Sequence, residues 1–187
     1  MWVPVMSAEI QNMLAKALTL HQANRLKEAE RIYQVILKEN PAHPEALNLN
    51  GILAIQSGRP EQAVRHLNRA ITATPDNPQF HYNLATAHKN LGKVQLALGG
   101  FRRAVALRPN YVEAHNNLAN LLHAADDLDA ALAHYDAALA HKPDFLDALR
   151  NRPGVLLKLD RFHDALDDLD RALELAPHIA DLHSDRC

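Results

Sequence analysis

Asn83, Asn117 and Asn151 stand 34 residues apart in an unbroken series. Each carries a side-chain amide, which donates through N–H and accepts through C=O, and so matches a peptide backbone group for group. Amides repeated at a fixed interval make a ladder able to hold an extended chain with little regard for its side chains. Asn116 and Asn120 lie beside Asn117, and Asn48 stands two intervals before Asn116. Toward the N-terminus the ladder is broken by Ala15 and Leu49. Asparagine is only a middling helix former, so three in one column of a helix call for a reason. The expected peptide-binding set is Asn83, Asn117, Asn120 and Asn151 for the backbone, with His88, Lys89, Asn116, His123 and Arg150 adding selectivity.

Other chemistries find little support. There are 12 histidines, and His81/His88, His134/His141 and His115/His123 have spacings that share a helix face. No HExxH run and no Cys/His pairing accompanies them, so no metal site is expected. His81, His115 and His183 occupy equivalent positions, which points to a structural role. Ser7, Ser57 and Ser184 lie in no nucleophile motif, the single cysteine is Cys187, and no glycine-rich phosphate loop exists. No catalytic activity and no cofactor are expected. A formal net charge of −2 lacks the basic excess of a nucleic-acid or anionic-membrane surface. No run of 18 apolar residues is present to span a bilayer, and one cysteine fits a reducing, cytoplasmic setting.

The amides must be positioned by a repeat. Pro41, Pro75, Pro109, Pro143 and Pro177 recur every 34 residues, and such a period with a proline closing each unit indicates stacked helix–turn–helix pairs. With that proline at position 32, an extension over 1–9 precedes units 10–43, 44–77, 78–111, 112–145 and 146–179 and a partial sixth unit, 180–187. Position 20 is Ala29, Ala63, Ala97, Ala131 and Ala165; position 24 is Tyr33, Leu67, Phe101, Tyr135 and Leu169. Position 8 holds Ala17, Gly51, Ala85, Ala119 and Pro153, and position 27 is alanine in all units but the first, where it is Ile36. Small residues let two helices approach, and the large one fills the space they leave. Positions 20, 24 and 27 form one helical stripe, which a single hairpin cannot bury without a neighbour.

Asn24, Gly58, Gly92, Asp126 and Asp160 share position 15, and these residue types tolerate left-handed backbone at an inner turn. In the outer turns, Pro-Asp-Asn-Pro (75–78), Pro-Asn-Tyr (109–111) and Pro-Asp-Phe (143–145) offer an Asp or Asn to cap the next helix. The pattern predicts helices over 10–23, 26–39, 44–57, 60–73, 78–91, 94–107, 112–125, 128–141, 146–159 and 162–175, a short eleventh near 179, and no strand. The first five residues are expected to be a loose extension. Pro153 falls inside the ninth helix and predicts a kink or a late helix start. Gly99-Gly100 should weaken the sixth.

The column pattern resembles the tetratricopeptide repeat over about residues 10–177, on the strength of a small residue at position 8, alanine at 20, a large apolar residue at 24, alanine at 27 and proline at 32. At position 4, where that family favours a large aromatic, this chain has Met13, Leu47, His81, His115 and Leu149. The resemblance implies a right-handed α-solenoid whose first helices line a concave groove, and a protein or peptide partner bound there. The asparagine column is similar to the ladder in the repeat superhelix of O-linked N-acetylglucosamine transferases. The basic clamp that chaperone adaptors of this family use for a C-terminal carboxylate is missing: position 2 holds Gln11, Glu45, Gln79, Glu113 and Asp147, and Arg150 is the lone base at position 5. Two alternatives accompany the scaffold reading. The chain stops eight residues into a sixth unit without a polar capping helix, so it is expected either to be the substrate-recruiting front of a longer glycosyltransferase-type enzyme or to self-assemble through an uncapped last unit.

Overall fold

A computed structural model describes the backbone of residues 3–177 and the side chains of residues 8–177. Among them are ten helices and no strand: α1 (Val3–Gln22), α2 (Leu26–Glu39), α3 (Pro44–Gln56), α4 (Pro60–Ala73), α5 (Pro78–Asn90), α6 (Val94–Leu107), α7 (Val112–Ala124), α8 (Leu128–His141), α9 (Leu146–Lys158) and α10 (Phe162–Leu175). They form two compact units, Met1–Leu107 and Arg108–Cys187. In the first, α1/α2, α3/α4 and α5/α6 are antiparallel hairpins in sequence order; in the second, α7/α8 and α9/α10 repeat the arrangement. Each is thus a piece of all-α solenoid. The position of the eleventh helix lies outside the described residues.

The sequence columns become layers of packing. The five position-20 alanines are at most 1% exposed, and Tyr33, Leu67, Phe101 and Tyr135 are fully buried. Tyr33 and Ile36 of α2 pack with Ala46 and Leu53 of α3, while Leu47, Ala70 and Phe80 join α3, α4 and α5. The stripes of α2, α4 and α8 are therefore hidden by the hairpin that follows. Full burial of a leucine-sized side chain contributes roughly 1.5–3 kcal/mol, so within each unit successive hairpins lean on one another.

The inner turns follow the column of tolerant residues. Asn24, Gly58, Gly92, Asp126 and Asp160 all have positive φ, between 56° and 68°. In each case the next residue's N–H bonds back five residues, as in Arg59 to the Ala54 carbonyl at 2.8 Å and Asp127 to the Leu122 carbonyl at 3.0 Å. This closes the Schellman pattern that satisfies the orphan carbonyls of a helix end.

At the outer turns the capping expectation holds only in part. Asn77 Oδ1 accepts from the Gln79 N–H at 3.0 Å, but Tyr111 and Phe145, not Asn110 or Asp144, occupy the N-cap positions of α7 and α9, and neither side chain caps. The proline carbonyls at these turns have their own donors. Pro41 O accepts from Arg69 at 2.6 Å, Pro75 O from His81 Nε2 at 2.7 Å, Pro109 O from His115 Nε2 at 2.9 Å, and Pro143 O from Arg171. A position-4 histidine or a position-26 arginine thus latches each unit to the turn before it. His81 and His115 have the structural role their column suggests; His183 lies outside the described residues.

Two local expectations change. α1 begins at Val3, so the residues expected as a loose extension are helical from Val3 on, with Pro4 in the first turn, where its missing N–H costs nothing. α9 runs from Leu146 through a buried Pro153, which rules out a late start. α6 is continuous across Gly99-Gly100. A Cβ on Gly100 would lie 2.8 Å from that of Ala85, so this glycine sits where α5 and α6 touch; one on Gly99 would meet nothing.

Candidate binding faces

Within each unit the first helices lie side by side, α1, α3 and α5 in one and α7 and α9 in the other, and present the amides there. Asn83 Nδ2 donates to Asn48 Oδ1 at 2.7 Å, and Asn151 Nδ2 donates to Asn116 Oδ1 at 3.4 Å. Both contacts join residues 35 apart, position 5 of one first helix to position 6 of the next. The ladder therefore runs along a diagonal and not along the 34-residue column. Its first step, Leu14 to Leu49, is apolar, with Leu49 packed on the cluster that holds Leu14.

Asn48, Asn83 and Asn116 are buried, at 4%, 6% and 6% exposure. Asn83 Oδ1 also accepts from Gln79 Nε2 at 3.3 Å. Asn117 and Asn120 are half-buried; Asn117 Nδ2 donates to the Glu113 carbonyl at 2.9 Å, and Asn120 Oδ1 accepts from the Tyr135 hydroxyl. Burial pushes the Tyr135 hydroxyl up to about 12, so it remains a donor at any physiological pH. The amides are thus engaged with one another and with their own helices, and they reach the surface through Asn117, Asn120 and Asn151.

The selectivity residues divide between the units. In the first, Lys89 is exposed and His88 half-buried, and His88 is held below the ordinary imidazole value by burial and then by Lys93. In the second, Arg150 is exposed and His123 half-buried. Gly154 of α9 leaves room for the His123 ring, which a Cβ there would meet at 3.1 Å.

Columns of amides did not reveal a cleft at the start of the first unit. Leu18, His21, Gln22, Asn24, Leu26, Leu49, Ile52 and Gln56 line a space of about 520 Å³. His21 is only 9% exposed; its Nε2–H donates to Gln56 Oε1 at 2.7 Å and its Nδ1 faces the Tyr33 hydroxyl at 3.3 Å. With its floor groups paired, the cleft offers apolar walls and a neutral rim. Leu18, His21, Ile52 and Gln56 at positions 9, 12 and 13 were the available signal.

Among the described residues no helix is long and apolar enough to cross a membrane. Two family models described as tetratricopeptide repeat match the chain, one over residues 20–87 and 54–99 and the other over 82–154. No curated protein matches it in sequence. Several solved structures share its fold. The MamA protein is 22% identical over 92% of this chain and 94% of its own, with a TM-score of 0.75. YrrB, a TPR protein with an unusual peptide-binding site, is 26% identical over 94% and 91%, with a TM-score of 0.71. TTC0263, a thermophilic TPR protein in Thermus thermophilus, is 25% identical over 94% and 96%, with a TM-score of 0.74. The layered alanines, the latched turns and the family matches agree, and the chain belongs to the tetratricopeptide repeat family.

Proposed function

We propose that the chain is a noncatalytic scaffold that holds extended segments of partner proteins on the faces lined by its first helices. The observation that carries this reading is the pre-set amide geometry. An asparagine already held by a neighbouring amide or hydroxyl loses little further rotamer freedom when a backbone arrives, and such preorganisation lowers the cost of binding. In the second unit Asn117, Asn120 and Asn151 supply donors and acceptors beside Arg150 and His123. In the first, Asn83 lies at the floor of a face that carries His88 and Lys89.

The likeness to YrrB, which has a peptide-binding site, supports the same reading. The near-neutral charge favours neither polyanions nor strongly acidic segments. A single cysteine suits work in the cytoplasm. Single segments bind modestly, and affinity grows where several hairpins engage one partner.

Selection from a random-peptide library, followed by calorimetry on a selected peptide, tests the proposal. Asn151→Ala and Arg150→Glu are expected to weaken binding about tenfold each, ~1.4 kcal/mol, while Arg31→Glu on α2 leaves it unchanged. A peptide that tolerates both first-helix substitutions, or a library that yields no binder, sinks the reading.

A further inference from the structure

The columns that carry the amides change character along the chain. Positions 6 and 9 hold Asn83 and Thr86 in the third repeat and Asn117 and Asn120 in the fourth, but Leu49 and Ile52 in the second and Ala15 and Leu18 in the first. α1 and α3 lie side by side, and Leu18, Leu49 and Ile52 wall the cleft of about 520 Å³ between them. Leu18 is 40% exposed, and Leu49 and Ile52 are half-buried. Asn48, the neighbour of Leu49, bonds Asn83 on α5, so the cleft continues the amide face of the first unit. It lies toward the C-terminal end of α1, where Leu18 is about 22 Å along the helix from Val3. Two extended residues reach only about 7 Å, so residues 1–2 do not fill it.

Floor and rim together select the guest. At the floor the buried His21 ring is engaged on both sides, by Gln56 Oε1 at 2.7 Å and by the Tyr33 hydroxyl at 3.3 Å. No buried polar atom of these three side chains lacks a partner. A polar or charged guest would therefore lose its water and gain nothing from the floor, which opposes its entry. The rim is Gln22, Asn24 and Gln56, all exposed amides, and no charged side chain lines the cleft among the described residues. Such amides match the peptide groups on either side of a buried side chain. An apolar side chain carried on a polypeptide backbone uses both parts of the cleft, whereas a backbone-free apolar molecule leaves the rim idle.

We propose that this cleft is a specificity pocket for one large apolar side chain (leucine, methionine or phenylalanine) of an extended partner segment that is uncharged around it. Resting on the scaffold reading of the first-helix faces, the pocket adds a sequence preference to it. The amides hold backbone whatever the side chains, and the cleft picks out one side chain. Neighbouring helix axes stand about 8–10 Å apart, a span covered by about three extended residues at about 3.3 Å each. The anchoring residue therefore stands about three positions from the one that lies over α5.

Capped heptapeptides of glycine, serine and asparagine whose central residue is leucine, alanine, glutamate or lysine serve as probes in NMR titrations of the methyl-labelled full chain. The leucine peptide is expected to bind at least about tenfold more tightly than the other three and to shift the methyl signals of Leu18, Leu49 and Ile52. Leu18→Glu, which puts a charge on the wall, and Leu18→Trp, which fills the cleft, should each weaken it about tenfold, while Arg31→Glu on α2 leaves it unchanged. Circular dichroism checks that the variants fold; each alters an exposed side chain. Equal binding of the leucine and alanine peptides overturns the proposal, as does binding of none, or leucine-peptide binding indifferent to both Leu18 variants. So does a dimer in sedimentation that Leu18→Glu dissolves, which would assign the cleft to a second copy. A library-selected segment that responds to Asn151→Ala but to neither Leu18 variant overturns the pocket alone and leaves the scaffold reading standing. Leucine-peptide binding lost in Leu18→Glu, with no selected segment sensitive to Asn151→Ala, supports the pocket and sinks the amide reading of the second unit.

Discussion

Arg152 is the residue on which most of the local electrostatics turns. It occupies position 7, which is leucine in the third and fourth units. Its guanidinium holds Asp168 through two hydrogen bonds, at 2.6 and 2.7 Å, and Asp136 through a third. Burial works against its charge, but the bonds to the two carboxylates outweigh that and keep its pKa above the ordinary arginine value. Asp168 is 1% exposed, and a buried carboxylate that loses its partner is costly. Arg152→Leu should therefore destabilise the second unit by about 3–5 kcal/mol in urea unfolding. Adding Asp168→Ala should restore most of the loss, because a buried pair exchanged for apolar groups is close to neutral. If the double variant is no more stable than the single one, the cost lies in packing and not in the stranded charge.

Among the elements, α6 separates two roles of one residue type. Gly99 is exposed with open space around it, whereas Gly100 abuts Ala85. Gly99→Ala should stabilise the chain by up to about 1 kcal/mol, the helix-propensity difference. Gly100→Ala should destabilise it, because α5 must move back, and thermal unfolding of the two variants should shift in opposite directions. A left-handed turn residue gives a third comparison: Asp160, at φ 56°, should tolerate Asp160→Gly with a gain of a few tenths to about 1 kcal/mol. A fall in melting temperature would mean that the aspartate contributes more than its backbone strain costs.

At the scale of the whole molecule, stability should depend on acid. His66 and His88 are both held below the ordinary imidazole value, His66 by burial and then by Arg69 and Arg65, His88 by burial and then by Lys93. The unfolded chain then takes up protons near pH 6.5 that the folded chain refuses. Stability is complete above that value and falls as pH drops through it. Urea midpoints should be lower at about pH 5.5 than at about pH 7.5, and His66→Gln should lose less over that interval than the parent chain. Equal slopes for the two proteins would show that His66 takes up its proton in the folded state.

Residue order by itself determined the hairpins, because helix and turn are decided within a few residues. The position-20 alanines, the position-15 turn residues and the recurring proline carry that information locally, and they fix ten helices to within a residue or so, apart from the start of α1. The path of the amides was decided only by tertiary structure. Successive first helices meet with an offset of one residue, so hydrogen bonds join positions 35 apart, Asn48 to Asn83 and Asn116 to Asn151, and a period of 34 cannot display that offset. Exposure was decided there too: Leu169 reads like every other large residue of its column, yet it is exposed while the other four are buried, because burial depends on which helix lies across it.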